Sequence, residues 1–379
     1  MNGLTVPFFA LDRQYASLKD EIDHITQEVM ASGQYLKGEL VNKFEFAMAE
    51  RLGRKYSICV NSATNGLAIS LLACNAKKVG VPNYSFSATA NVIPLANASA
   101  IPIDVDRQGI IDIDEIDLSQ HVIDSLMYVN MYGNTIDYNK LLLKTGFFHV
   151  KSKVNIIEDA AQSLGATYQG KPSGSLGDIS VLSFDPTKNL PNYGSGGMVL
   201  TDSTHLYNRI YGIANNHKGH LHTPGRDSAM NSQMSEVDCA GMLVKLDHFD
   251  KWQARRKQIA EYYLNNITEV ELPVVNEGVE HAWHKFVIHT VSRNQLGLEL
   301  RDNGVETRIH YPNVLFHSDL SLAGGAAALS ATTLSLPIYP EMTDNEVEYV
   351  AAQVTLGADR IWRRRVHQAT ATRRTATGL

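Results

Sequence analysis

Seven short, mostly apolar runs separated by helical stretches between residues 55 and 202 constrain this chain more than any other feature. The runs are Tyr56–Val60, Val79–Pro82, Ile101–Val105, Leu126–Met131, Asn155–Ile157, Ile179–Phe184 and Met198–Thr201. β-Rich runs that alternate with helical patterns build an α/β domain. The expectation is a mixed, mainly parallel, buried sheet flanked by helices.

The flanking segments fit around that sheet. Residues 14–31 and 38–52 read as helices, the second with Phe44, Met48 and Leu52 on one stripe. A long helical pattern over 235–265 carries Leu243, Leu246, Phe249 and Trp252. Beyond it, a strand at Lys285–Val291, a helix at 295–303 and a strand at Glu306–Ile309 predict a small α+β unit. The domain boundary is placed near residue 245, giving a large domain 1–245 and a smaller C-terminal domain 246–379. The basic, Thr- and Ala-rich end, IWRRRVHQATATRRTATGL, reads as a solvated helix end that frays, rather than as an anion-binding tail.

Composition removes several function classes. Lys plus Arg is 34 against 40 for Asp plus Glu, a net charge of −6, which leaves no footprint for nucleic-acid binding. The 3 cysteines, Cys59, Cys74 and Cys239, are too scattered for a disulfide framework or a zinc cluster. They fit a reducing cytoplasm. The start, MNGLTVPFFALDRQY, lacks the pattern of a signal peptide. No apolar run reaches the ~18 residues of a membrane span. A cytoplasmic enzyme with no membrane or nucleic-acid partner is the expectation.

Three segments could carry chemistry. The turn Asn61-Ser62-Ala63-Thr64-Asn65-Gly66 follows a strand and opens a helix. Free backbone N–H groups and the helix dipole favour an anion there, and Thr64 adds a hydroxyl. Simple N-capping by Ser62 or Thr64 is the plainer alternative. Glu158 and Asp159 follow the apolar strand Val154–Ile157, where open α/β sheets bind ligands. An N-cap role for Asp159 is the alternative. Lys188 sits just past the strand Ile179–Phe184, in a loop marked by Pro186, Gly194, Gly196 and Gly197. A desolvated lysine there becomes a nucleophile, whereas most lysines are solvated surface groups. Neither GxGxxG nor GxxxxGK[ST] occurs.

Read in order, a phosphate site, a buried carboxylate and a Schiff-base lysine are what a protein contributes to pyridoxal phosphate catalysis. The carboxylate keeps the pyridinium nitrogen protonated. The lysine carries the cofactor and later moves the proton.

The motifs SGQYLKG, NSATNGL, PNYSFSAT, EDAAQSLGA, SFDPTKNL, GSGGMVLTD, MNSQMSE, IHYP and LSLPIYP occur in this order over residues 6–355. In them the chain resembles the DegT/DnrJ/EryC1/StrS family of sugar aminotransferases, of the aspartate aminotransferase-like fold type I. The resemblance implies Lys188 as the Schiff-base lysine and Asp159 as the ring-nitrogen partner. It further implies Gln162 beside the phenolic oxygen, Ala63, Thr64 and Ser183 on the phosphate, and Phe86 stacked on the ring. Asn231 reaches the phosphate from the neighbouring subunit, so a homodimer with an interfacial active site is implied. Tyr35, His310, Tyr311 and the loop around His217, Lys218 and His220 are candidate substrate contacts. His310 could equally be a packed structural histidine. The spacing of HKGHLH at 217–222 matches no zinc pattern, and no metal is expected. Gln233 stands where the family often has arginine, Ala63 where it often has glycine, and Ser195 where an acid is usual.

The implied reaction transfers an amino group from L-glutamate to a nucleotide-linked keto-sugar. The KNL…YGSGG stretch resembles the 3-keto branch more than the 4-keto branch. Deoxyamino sugar biosynthesis, for lipopolysaccharide or O-antigen, is the implied context. A cyclitol ketone as acceptor, or a non-catalytic relative, are the alternatives. The second requires a lost lysine or acid, and Lys188 and Asp159 are both present.

Overall fold

The computed structural model describes residues 4–116, 123–146, 154–217, 228–317 and 324–377. Its strands are β1 (Tyr56–Val60), β2 (Lys78–Pro82), β3 (Ser99–Ile103), β4 (Ser125–Val129), β5 (Asn155–Asp159), β6 (Thr167–Tyr168), β7 (Lys171–Pro172), β8 (Ile179–Ser183), β9 (Gly197–Thr201), β10 (Val279–Glu280), β11 (Phe286–His289) and β12 (Thr333–Leu336). Its α-helices are α1 (Leu11–Ser32), α2 (Glu39–Leu52), α3 (Ala63–Cys74), α4 (Ala88–Leu95), α5 (Tyr138–Gly146), α6 (Thr204–Ala214), α7 (Glu236–Asn266), α8 (Arg293–Asp302), α9 (Gly325–Thr332) and α10 (Asp344–Thr377).

Seven strands form one sheet in the order β1-β9-β8-β5-β4-β2-β3. From β3 to β8 every neighbouring pair is parallel, and β9 runs antiparallel to both β8 and β1. The sheet is thus mixed and mainly parallel, as the apolar runs predict. β4, β8 and β9 are buried at every residue, the signature of a sheet covered on both faces. On one face α3 packs so closely that a Cβ on Gly66 would stand 2.8 Å from Val181, which explains a glycine inside that helix. On the other face Phe44 and Met48 of α2 meet Leu182 and Phe184.

α7 begins with a capping box, Ser235 and Asp238 satisfying each other's backbone N–H groups. Its first half, with Cys239, Met242, Phe249 and Trp252, packs into the core under the large sheet. Its second half, with Ile259, Ala260 and Tyr263, packs with Phe286, Leu336, Val350 and Val354 in a separate core. Val6 and Ala10, from the start of the chain, also belong to that second core.

Two expectations need correction. The edge strand expected at Ile101–Val105 lies at Ser99–Ile103, set by its parallel register on β2. The strand expected at Glu306–Ile309 does not form. Val305 and Arg308 make single bridges, to Val6 and Ser335. Ser335 lies on β12, whose full ladder partner is β11.

Candidate active site

A cavity of about 350 Å³ opens at the carboxyl ends of β1, β2, β5 and β8. This is where open α/β sheets place their ligands. The turn after β1 brings Ala63 and Thr64, and the segment after β2 brings Phe86 and Thr89. The end of β5 brings Asp159 and Gln162, and the end of β8 brings Ser183 and Lys188. His310 and Tyr311 close it from the C-terminal third.

Asp159 is 4% exposed. Its Oδ1 accepts the Ala161 N–H at 3.1 Å and its Oδ2 accepts the Thr89 hydroxyl at 3.2 Å. Burial raises its pKa, against the Ala161 N–H, the Lys188 charge and the Thr89 hydroxyl. A buried carboxylate in this state calls for a cationic partner. Glu158, one residue earlier, faces the other side of the strand and takes no part in the cavity.

Lys188 follows a tight turn. Asp185 Oδ1 accepts the N–H of Thr187 at 2.9 Å and its hydroxyl at 2.6 Å, and Asp185 O accepts Lys188 N–H at 2.9 Å. Asn189 is tied down by Nδ2 bonds to Ala282 O at 2.9 Å and Gln253 Oε1 at 3.0 Å. Burial lowers the Lys188 pKa, opposed by Asp185 and Asp159. A depressed, cavity-lining amine is the activated form of a lysine nucleophile.

Ser62 caps α3 by accepting Asn65 N–H at 3.1 Å, so capping and an anion site coexist here. Among the described residues no partner takes the N–H groups of Ala63 and Thr64, which are left for a ligand at the helix N-terminus. β9 starts against this turn: a Cβ on Gly197 would stand 2.6 Å from Ala63 N.

Gln162 is held at both ends. Its Oε1 accepts Tyr132 N–H at 3.1 Å and its Nε2 donates to Tyr311 Oη at 3.3 Å. His310 has Nδ1 2.8 Å from Ser335 Oγ, and burial keeps its ring neutral. Phe86 is 54% exposed, with its ring 6.0 Å from that of Tyr311.

Three expected residues lie outside this cavity. Asn231 is exposed and accepts from Gln233 Nε2 at 2.9 Å. The His217 ring packs over Gly212, with Nε2 2.9 Å from Ser228 O. Tyr35 is exposed on the α1–α2 connection. Lys218 and His220 lie outside the described residues. Among the described residues no three His, Cys, Asp or Glu side chains are grouped to hold a metal, and no helix is long and apolar enough to cross a membrane.

Sequence reasoning missed Thr89, Tyr132 and Lys285. Thr89 lies in the quoted PNYSFSAT motif, and its place in the first turn after β2 is a usable signal. Tyr132 holds Gln162 through its backbone N–H, which leaves no trace in side-chain pattern. Lys285 reads as an ordinary lysine at the start of the strand Lys285–Val291.

The sequence model of the DegT/DnrJ/EryC1/StrS aminotransferase family matches residues 16–355. This chain belongs to that family. It is 30% identical to the erythromycin biosynthesis sensory transduction protein EryC1 of Saccharopolyspora erythraea, over 94% of this chain and 100% of that one. It is 30% identical to the dTDP-3-amino-3,6-dideoxy-alpha-D-galactopyranose transaminase of Aneurinibacillus thermoaerophilus, over 92% and 98%. The crystal structure of S. venezuelae DesV with a ketimine intermediate superposes with a TM-score of 0.85 at 27% identity, covering 93% of this chain and 98% of that one. The protein is therefore a pyridoxal phosphate-dependent aminotransferase. The cavity fits that cofactor: a helix N-terminus with free donors suits its phosphate, a buried carboxylate its ring nitrogen, and a depressed lysine its carbonyl carbon.

Proposed function

We propose that this aminotransferase takes its amino group from L-glutamate and delivers it to C3 of a nucleotide-linked keto-sugar. The single observation carrying this reading is the convergence of Lys188, Asp159 and the α3 N-terminus on one cavity, within a chain 30% identical to a transaminase named for a dTDP-3-amino sugar.

Thr64, Ser183 and the N–H groups of Ala63 and Thr64 would hold the phosphate, with Phe86 over the ring and Gln162 beside its oxygen. Bound cofactor supplies the electron sink. Asp159 holds the proton on the ring nitrogen. Lys188 Nζ removes the proton from the donor α-carbon and later delivers one to the sugar carbon, as a positioned base and acid. His310 and Tyr311, which line the cavity, contact substrate in this reading. The chain acts as a homodimer, with Asn231 of the partner subunit reaching the phosphate.

The test is incubation with L-glutamate and a dTDP-3-keto-6-deoxyhexose, followed by NMR of the product. An amine on C3 together with 2-oxoglutarate is the expected result. Amination of a 4-keto isomer alone, or of cyclitol ketones alone, would contradict the reading.

A further inference from the structure

Lys285 lines the same cavity as Lys188, yet the chemistry described so far does not use it. It is 6% exposed. Its backbone N–H donates to Tyr132 O at 3.1 Å, which fixes it beside the Tyr132 and Gln162 wall. Its Nζ lies 5.6 and 5.5 Å from the ring centroids of Phe8 and Phe9. Among the described residues no hydrogen bond or ion pair holds that ammonium.

Comparison with Lys245 shows how unusual this is. Lys245 is also buried, and its Nζ donates to Pro191 O at 2.8 Å. A buried lysine with a structural task is normally satisfied in this way. The charged groups around Lys285 do not supply a partner. Lys188, Arg256 and Arg308 repel it, and Asp185 attracts it more weakly. Arg256 is committed to the carbonyls of Trp283 and Ile338, and Asp185 Oδ1 to Thr187. Burial above all, with this repulsion added, pushes the ammonium well below its ordinary pKa.

A buried cation that lines the active cavity beside two phenyl rings, with no carboxylate among the described residues bonded to it, is suited to receive an anion. The helix N-terminus already suits the cofactor phosphate, and one ammonium with two rings on one side of it suits one small anionic group rather than a diphosphate. We infer that Lys285 recognises a carboxylate of the substrate, held next to the reacting carbon at Lys188. Two substrates could present it: the amino donor, through its own carboxylate, or a keto-sugar oxidised to a uronate. The inference rests on the transamination reading above, and its test separates the two.

The experiment compares wild type with Lys285→Met and Lys285→Arg in two arms. In the first, L-glutamate is titrated against the absorption band of the lysine-bound cofactor. In the second, calorimetry compares UDP-glucuronic acid with UDP-glucose. If the donor supplies the carboxylate, Lys285→Met raises the half-saturating L-glutamate by about tenfold or more, and Lys285→Arg largely restores it. If the sugar supplies it, wild type prefers the uronate by about tenfold or more and Lys285→Met erases the preference. Recovery with arginine excludes a merely structural role. Lys285→Met that changes neither arm overturns the inference. A wild-type band insensitive to L-glutamate contradicts the donor proposed above, and the nucleotide-sugar arm then decides Lys285 alone.

Discussion

Glu158 and Asp159 are adjacent on β5 and face opposite ways, so two neighbouring buried carboxylates have unrelated tasks. Asp159 points into the active cavity. Glu158 points away and accepts five hydrogen bonds: Asn130 Nδ2, Ser173 Oγ and Gly174 N–H on Oε1, and Leu176 N–H and Ser180 Oγ on Oε2, all between 2.6 and 2.9 Å. It locks the connection between β5 and β8, and so the relative placement of Asp159 and the lysine loop.

Replacing Glu158 with Gln therefore tests stability. The new NH₂ would face two or three donors in a buried site. We expect a loss of about 3 kcal/mol, because buried donors lose a charged acceptor. Urea unfolding followed by fluorescence measures it. An unchanged midpoint would contradict the clasp.

Asp159→Asn tests the other carboxylate. The fold should persist, since Asn keeps the shape, its Oδ1 can still accept from Ala161 N–H, and its Nδ2 can donate to the Thr89 hydroxyl oxygen. Turnover should fall about 100-fold or more, the usual cost of removing a preorganised electrostatic partner. Steady-state rates with saturating cofactor decide it.

Lys245 gives the stability a pH dependence. Burial lowers its pKa from 10.5 to about 7, opposed by Glu341, and the ammonium lies over the Tyr193 ring. Between these two values the unfolded chain binds more protons than the folded one. This group's contribution to stability therefore rises with pH across that window, is flat below about 7, and its penalty is gone above 10.5. The melting temperature of wild type relative to Lys245→Met should climb from pH 7 to 10. A constant difference would contradict the assignment.

The proposed shared site predicts complementation. Lys188→Ala and Asn231→Glu homodimers should both be inactive. Mixed by unfolding and refolding together, they should recover about a quarter of wild-type activity, because half of the dimers carry one intact site. No recovery would place Asn231 in the same site as its own chain's Lys188.

Much of this architecture is legible in the sequence because parallel strands buried on both faces are written as apolar runs. Tyr56–Val60 is matched residue for residue, and the other six runs find their strands within a shift of about two residues. At 306–309 the same reasoning overreached. Val305, Thr307 and Ile309 alternate as a strand would, but a ladder needs a free partner edge, and only single bridges to Val6 and Ser335 form. The site divides likewise. Asp159 ends an apolar strand and Lys188 lies just past one, whereas Lys285 is placed by its backbone bond to Tyr132, a long-range contact with no local signature. The separation of Asn231 and His217 from their own cavity is equally invisible to motif spacing.

The central claim is that Lys188 holds the cofactor and exchanges it with an amino donor. The most direct measurement is the absorption spectrum of wild type and Lys188→Ala, each loaded with pyridoxal phosphate, before and after L-glutamate. Wild type should show a lysine-bound band near ~410 nm that gives way to one near ~330 nm, and Lys188→Ala should show no such lysine-bound band. A Lys188→Ala protein with the wild-type band, turning over at the wild-type rate, would contradict the account.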